Sequence, residues 1–195
     1  PNNQRVLQLA AAVEINSGSP MVAETYLRKV LAATPVSAEA RRLLATAHLR
    51  AGEPDKALVA LKPLTDAATP GFQELALSAE AHVMAGDLAN AESFYRRAVK
   101  LNPAAIHLRT ALALTQVAKG KAEAEAGIQA LEAISAEDPK STLADMALFN
   151  VWLRRGEAAA GLKALDRLQE KMPDSPLPHH LRGRTLMQTG DKAGA

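Results

Sequence analysis

The chain has 195 residues, no cysteine, 3% aromatic residues and a formal net charge of +2 from 23 basic and 21 acidic side chains. Without cysteine there is no disulfide, no thiolate metal site and no cysteine nucleophile. The charge balance argues against a nucleic-acid surface, which needs basic residues gathered on one face, and no apolar run approaches the ~20 residues of a membrane span. The polar start Pro1-Asn2-Asn3-Gln4 lacks Met, and Ala195 falls early in an expected helix. No signal peptide is present, but the chain is expected to be a piece of a longer protein, so a missing targeting signal says nothing about location.

Six glycines, Gly18, Gly52, Gly86, Gly120, Gly156 and Gly190, follow one another at spacings of 34, 34, 34, 36 and 34 residues. One globular core has no reason to repeat a turn residue this way; a stack of two-helix units does, each unit resting on its neighbours. In chain order the pattern predicts helix pairs at about 4–17 and 20–33, 37–51 and 54–67, and 71–85 and 88–101. It continues with about 104–119 and 123–136, 141–155 and 158–172, and a last helix at 177–189. Pro20 and Pro54 open their second helices, where a missing N–H is harmless. Ser19, Asp87 and Asp191 follow their glycines and are expected to cap the helices after them. Pro35, Pro70, Pro103, Pro139 and Pro173 then close successive units.

Small residues stand five places after most of these glycines (Ala23, Ala57, Ala91, Gly161, Ala195) and seven before (Ala11, Ala45, Ala79, Ala113, then Phe149 and Gly183). They let the two helices of a unit cross closely. Leu27 and Val30, Leu61 and Leu64, Tyr95 and Ala98, and Leu165 and Leu168 share one helical face and are expected to bury it. In the fourth unit the small residue comes two positions late, at Gly127, with Leu131, Ile134 and Pro139 equally late. Two residues are therefore expected to be inserted in or near that turn, enlarging it.

The run Ala79-Glu80-Ala81-His82-Val83-Met84-Ala85-Gly86-Asp87, continuing to Ala91, Tyr95, Ala98 and Asn102-Pro103, resembles the tetratricopeptide repeat, as does Leu44-Ala45 through His48, Gly52 and Ala57. The resemblance covers the whole chain. It implies an all-α, right-handed superhelical solenoid of tetratricopeptide helix–turn–helix repeats. As one array this gives repeats at about 4–36, 37–70, 71–104, 105–140 and 141–175, with a truncated sixth at 176–195. No polar capping helix follows the sixth, so the array is expected to continue.

In this family the first helices line the concave surface, which implies a partner-binding groove there. Projected on that face are Gln8, Glu39, Arg42, Thr46, Arg50, Gln73, Glu80, Met84, His107, Thr110, Leu114, Met146, Asn150, Arg154, His180 and Arg184. Arginine suits carboxylate recognition and stacking, which singles out Arg42, Arg50, Arg154 and Arg184. Between these residues runs an apolar stripe, Ile15, Leu49, Val83, Val117, Leu153 and Met187, read as packing at the edge of the core. Family members that clamp a chaperone's C-terminal carboxylate use Lys and Asn. The matching places here hold Gln8, Ala12, Leu43, Gln73 and Leu77, so that clamp is excluded.

Chemistry finds no foothold. His48 and His82 stand at equivalent places in adjacent repeats but lack the further ligands a metal needs, and the side chains of His179 and His180 diverge on a helix. Glu123, Glu125, Glu137 and Asp138 lie at a turn and a helix end, where carboxylates are solvated. Basic residues near helix ends, Arg28, Lys29, Arg97, Lys100 and Lys171, complement helix dipoles. Trp152 and Phe149 are expected to fill space left by small neighbours.

No catalytic residue, cofactor or metal is assigned. The expected function is non-catalytic scaffolding that binds a protein or peptide, with no nucleic acid and no membrane span. Self-association through open apolar ends is a further expectation. The run Leu165-Asp166-Arg167-Leu168-Gln169-Glu170-Lys171-Met172-Pro173-Asp174-Ser175-Pro176 resembles long bacterial arrays. Among these are tetratricopeptide lipoproteins of exopolysaccharide production and PEP-CTERM sorting, which implies a lipid-anchored periplasmic protein of the cell envelope. The alternative is a regulatory or substrate-docking arm of an enzyme, such as a glycosyltransferase or kinase, whose catalytic domain lies outside this chain.

Overall fold

In the computed structural model, which describes residues 3–190, every described regular element is an α-helix. The chain divides into two compact units, Pro1–Pro103 and Ala104–Ala195. The first contains α1 (Gln4–Asn16), α2 (Pro20–Ala33), α3 (Ala38–Arg50), α4 (Pro54–Thr65), α5 (Phe72–Met84) and α6 (Leu88–Leu101). The second contains α7 (Ile106–Lys119), α8 (Lys121–Glu137), α9 (Leu143–Arg154), α10 (Ala158–Lys171) and α11 (Leu177–Thr189).

The turns explain why glycine recurs. Gly52, at φ +74°, sits in the left-handed region that L side chains adopt only with strain. There its N–H bonds to Leu49 O at 3.1 Å and the next N–H, of Glu53, reaches back to His48 O at 2.9 Å. This is the Schellman pairing, which satisfies the orphan carbonyls of α3 and immediately starts α4. The same N–H to carbonyl reach joins Ser19 to Glu14, Asp87 to His82 and Glu157 to Trp152. In these four turns one residue thus closes the first helix and stands at the N-cap position of the next.

Two details differ from expectation. Gly120 makes no enlarged turn. With φ +143° and ψ −178° it is the single residue between α7 and α8. The two extra residues go into α8, which runs for 17 residues against 12–14 in the other second helices. Helix absorbs them because Lys121 to Ala126 contains nothing that breaks one, whereas a longer loop would leave backbone groups unpaired. Ser19 occupies the N-cap of α2 but its hydroxyl makes no capping bond, while Asp87 does accept from Asn90 N–H. Asp191 and Ala195 lie outside the described residues.

In the first unit each helix packs on its hairpin partner and on the following hairpin, and the first helices α1, α3 and α5 also touch in series. Ala11, Ala23, Ala45 and Ala57 are fully buried, with Leu27, Val30 and Leu61 filling the space around them. Alanine at the crossing points brings backbones close, and the large residues one or two turns on supply the apolar area. At the free side of α1, Val6, Leu9 and Val13 are exposed by 55%, 68% and 57%. The residues 34 positions later on α3 include Ala40 and Ala47, both buried beneath the preceding hairpin.

The second unit is built the same way around Ala113, Ile128, Leu131, Leu148, Phe149, Leu165 and Leu168. It adds a polar knot. Asp145, fully buried on α9, accepts from Ser135 Oγ at 2.5 Å, Arg167 Nε at 3.0 Å and Lys171 Nζ at 2.7 Å. Lys171 also donates to the carbonyls of Ser135, Asp138 and Ser141. Burial alone raises a carboxyl's pKa, but the bonds from Lys171, Ser135 and Arg167 outweigh it and hold Asp145 below its ordinary value. Three helices, α8, α9 and α10, are tied at one point.

Candidate functional site

The face of the first helices is described for each unit in turn. In the first, Glu39, Arg50, Gln73, Glu80 and Met84 are exposed. Gln8, Arg42 and Thr46 are only partly so, because each is used internally. Gln8 Nε2 donates to Ser37 Oγ at 3.3 Å, and Thr46 Oγ1 to Arg42 O at 3.0 Å. Arg42 Nη1 pairs with Glu74 Oε1 at 2.6 Å, joining α3 to α5, and Glu74 itself is buried. Of the stripe residues, Ile15 is buried, Leu49 half-buried and Val83 exposed.

In the second unit His107, Leu114, Asn150, Arg154, His180 and Arg184 are exposed and Met146 is half-buried. Thr110 is set apart. It is buried, and its hydroxyl has no hydrogen-bond partner among the described residues. Val117 and Leu153 pack against the core while Met187 is exposed. Arg50, Arg154 and Arg184 form no ion pair among the described residues, unlike Arg42. Their guanidinium donors, five apiece, face solvent.

Glu74 is the residue that sequence reasoning missed. In the first turn of α5 it reads as an ordinary acidic residue at a helix N-terminus. The available signal was its repeat register: positions 34 before and after it hold Ala40 and Leu108, both buried. Gly71 belongs to the same feature, since a Cβ there would run into the Glu74 carboxylate.

Aromatic and acidic groups elsewhere take structural places. Trp152 packs against the core with the Arg155 guanidinium over its ring at 5.1 Å, and Phe149 is buried. His82 stacks on Phe94 at 5.3 Å and its Nδ1 lies 3.2 Å from Asp87 Oδ2. Burial pushes the Tyr95 hydroxyl pKa upward, with the charge of Glu80 adding to it. Glu125 pairs with Arg155 at 2.9 Å and Glu137 with Arg109 at 2.5 Å. The latter bond holds Glu137 below the usual carboxylate range. Among the described residues no helix is long and apolar enough to cross a membrane.

Repeated helical hairpins joined by glycines at positive φ define a helical-repeat fold. Residues 9–71 match the tetratricopeptide repeat family model, and the described helices beyond them continue as helical hairpins of the same kind. TTC0263, a thermophilic tetratricopeptide repeat protein of Thermus thermophilus, is similar with TM-score 0.75 and 19% identity, over 95% of this chain and 100% of that one. Pseudomonas aeruginosa PilF is similar with TM-score 0.74 and 15% identity, over 98% and 86%. YrrB, described as a tetratricopeptide protein with an unusual peptide-binding site, is similar with TM-score 0.64 and 16% identity, over 92% of each chain. At such identities the likeness is one of fold. No curated protein matches the sequence.

Proposed function

We propose that the chain is a non-catalytic scaffold that holds a protein or peptide on the first-helix faces of its units. The observation that carries this is the set of exposed arginines without an ion pair among the described residues, Arg50 on α3, Arg154 on α9 and Arg184 on α11, the last two with exposed Asn150 and Met187 one turn away on their own helices. A guanidinium already spent on an internal partner has little left to offer a ligand; these three have their full set of donors. The favoured partner is a peptide segment with carboxylates interspersed among aliphatic residues. Arg42 and Gln8 help hold the face in shape, and Thr110 lies beneath it. Cross-linking from this face and from the opposite one tests the proposal. The style of the segment Leu165–Pro176 favours a bacterial cell-envelope assembly as its setting.

Self-association is a second reading, favoured by the exposed Val6, Leu9 and Val13 on α1. Such a stripe on a helix normally faces a neighbour. Light scattering over a range of concentrations is expected to show a mass that rises with concentration and returns to one chain in Leu9→Glu. A mass of one chain throughout removes this reading.

A further inference from the structure

Glu24 on α2, His48 on α3 and Glu53 at the N-cap of α4 bring one imidazole nitrogen and two carboxylate oxygens within 4.8 Å of one another. His48 is only 5% exposed, which is unusual for a side chain with two polar ring atoms. Its Nδ1 faces Glu53 Oε2 at 3.0 Å. The ring also lines an open cavity of about 400 Å³ together with Arg28, Arg41, Leu44, Asp55, Lys56 and Val59, so the imidazole borders space that solvent reaches.

The carboxylates are held in place. Arg28 Nη2 binds Glu24 Oε1 at 2.6 Å and Lys56 Nζ binds Glu53 Oε1 at 2.7 Å. In both, the cation takes Oε1 and leaves Oε2 without one. Ligating carboxylates are commonly oriented by such outer partners. The two cations also balance the two carboxylates, so an ion that relies on charge and oxygen alone gains little here. An ion that forms a bond to imidazole nitrogen gains more.

The next repeat provides an internal comparison. Thirty-four residues on, the equivalents are Leu58, His82 and Asp87. His82 still faces its carboxylate at 3.2 Å. The histidine–carboxylate pair is therefore a recurring tie across the turn, and Glu24 is the added third donor.

We propose that Glu24, His48 and Glu53 form a binding site for a divalent transition-metal ion. Zn²⁺ is the ion whose preferences fit one neutral imidazole and two carboxylates with solvent as the fourth ligand. Bound there, it clips α2 to the α3–α4 hairpin and so joins the first two repeats. The site stands independently of the peptide-binding reading.

The test is calorimetric titration of the untagged chain with Zn²⁺, with circular dichroism on every variant. Wild type is expected to bind one ion at this site, and His48→Gln to weaken it by about tenfold or more. Glu24→Leu copies the arrangement the next repeat already uses, so it keeps the fold and is expected to lose the ion equally. His82→Gln, and His179→Ala with His180→Ala, are expected to leave it unchanged. Absence of binding, binding indifferent to both Glu24→Leu and His48→Gln, or equal competition by Mg²⁺ overturns the proposal.

Discussion

Two glycines inside second helices mark the same small-residue site in adjacent repeats, yet they are expected to answer an added methyl in opposite ways. At Gly127 on α8 a Cβ would lie 2.5 Å from the backbone oxygen of Ala113 and 2.8 Å from Val117 Cγ2. At Gly161 on α10 the nearest atoms, Phe149 Cδ2 and Phe149 O, are 3.6 and 3.7 Å away, ordinary contact distances. In a helix interior alanine is favoured over glycine by roughly 0.5–1 kcal/mol. Gly161→Ala takes that gain nearly whole. Gly127→Ala takes it too, but must drive α7 and α8 apart, because a backbone carbonyl cannot rotate out of the way; such overpacking costs about 1–3 kcal/mol. The net expectation is a loss of about 1–2 kcal/mol at 127 and a gain of up to about 1 kcal/mol at 161. Urea unfolding followed by circular dichroism reads both, and since both sites lie in the second unit they report on one body. Equal shifts of the two midpoints in the same direction would refute the claim that α7 and α8 approach more closely than α9 and α10.

The Asp145 knot makes stability depend on acid. Its folded pKa is depressed, so its contribution is fully present above the unfolded value of about 3.9 and is lost as pH falls through the folded value. Asp145→Asn, which leaves Lys171 with uncharged partners only, is expected to cost about 3–5 kcal/mol at neutral pH and to flatten the acid limb of a melting-temperature profile; an unchanged limb counts against the assignment. For Arg42 and Glu74, Arg42→Ala is expected to destabilise the first unit more than Glu74→Ala, because it leaves the buried Glu74 carboxylate without its cation, whereas Glu74→Ala leaves a part-exposed guanidinium that water can reach. A double-mutant cycle by urea unfolding that gives no coupling between them rejects the inter-repeat tie.

The architecture was legible because its determinants are local. A glycine at positive φ, a small residue at most crossings and a proline between hairpins all leave marks at near-constant register, and α1 to α11 fall within about two residues of the predicted bounds. What register cannot carry is the choice between two local solutions. Two inserted residues fit a longer loop or a longer helix equally well on paper, and the helix-forming run after Gly120 decided for α8. The binding face was less legible for a related reason. Helical projection gives a side chain's direction but not its occupation: Arg42 and Arg50 share one face, yet only Arg42 meets a carboxylate, contributed by a residue 32 positions later. Asp145 was likewise hidden, as an acidic first-turn residue whose partners come from two other helices.

The central claim, that a partner lies on the first-helix faces, is tested most directly by site-specific photo-cross-linking in the host cell. One set of probes replaces Asn150, Gln73 and Gln188 on first helices; the other replaces Lys163, Gln129 and Arg97 on second helices. The account predicts one partner species recovered from the first set and lost when Arg50, Arg154 and Arg184 are changed to Ala in the same chain, with little or none from the second. Recovery from the second set, or capture from the first that survives loss of all three arginines, contradicts it.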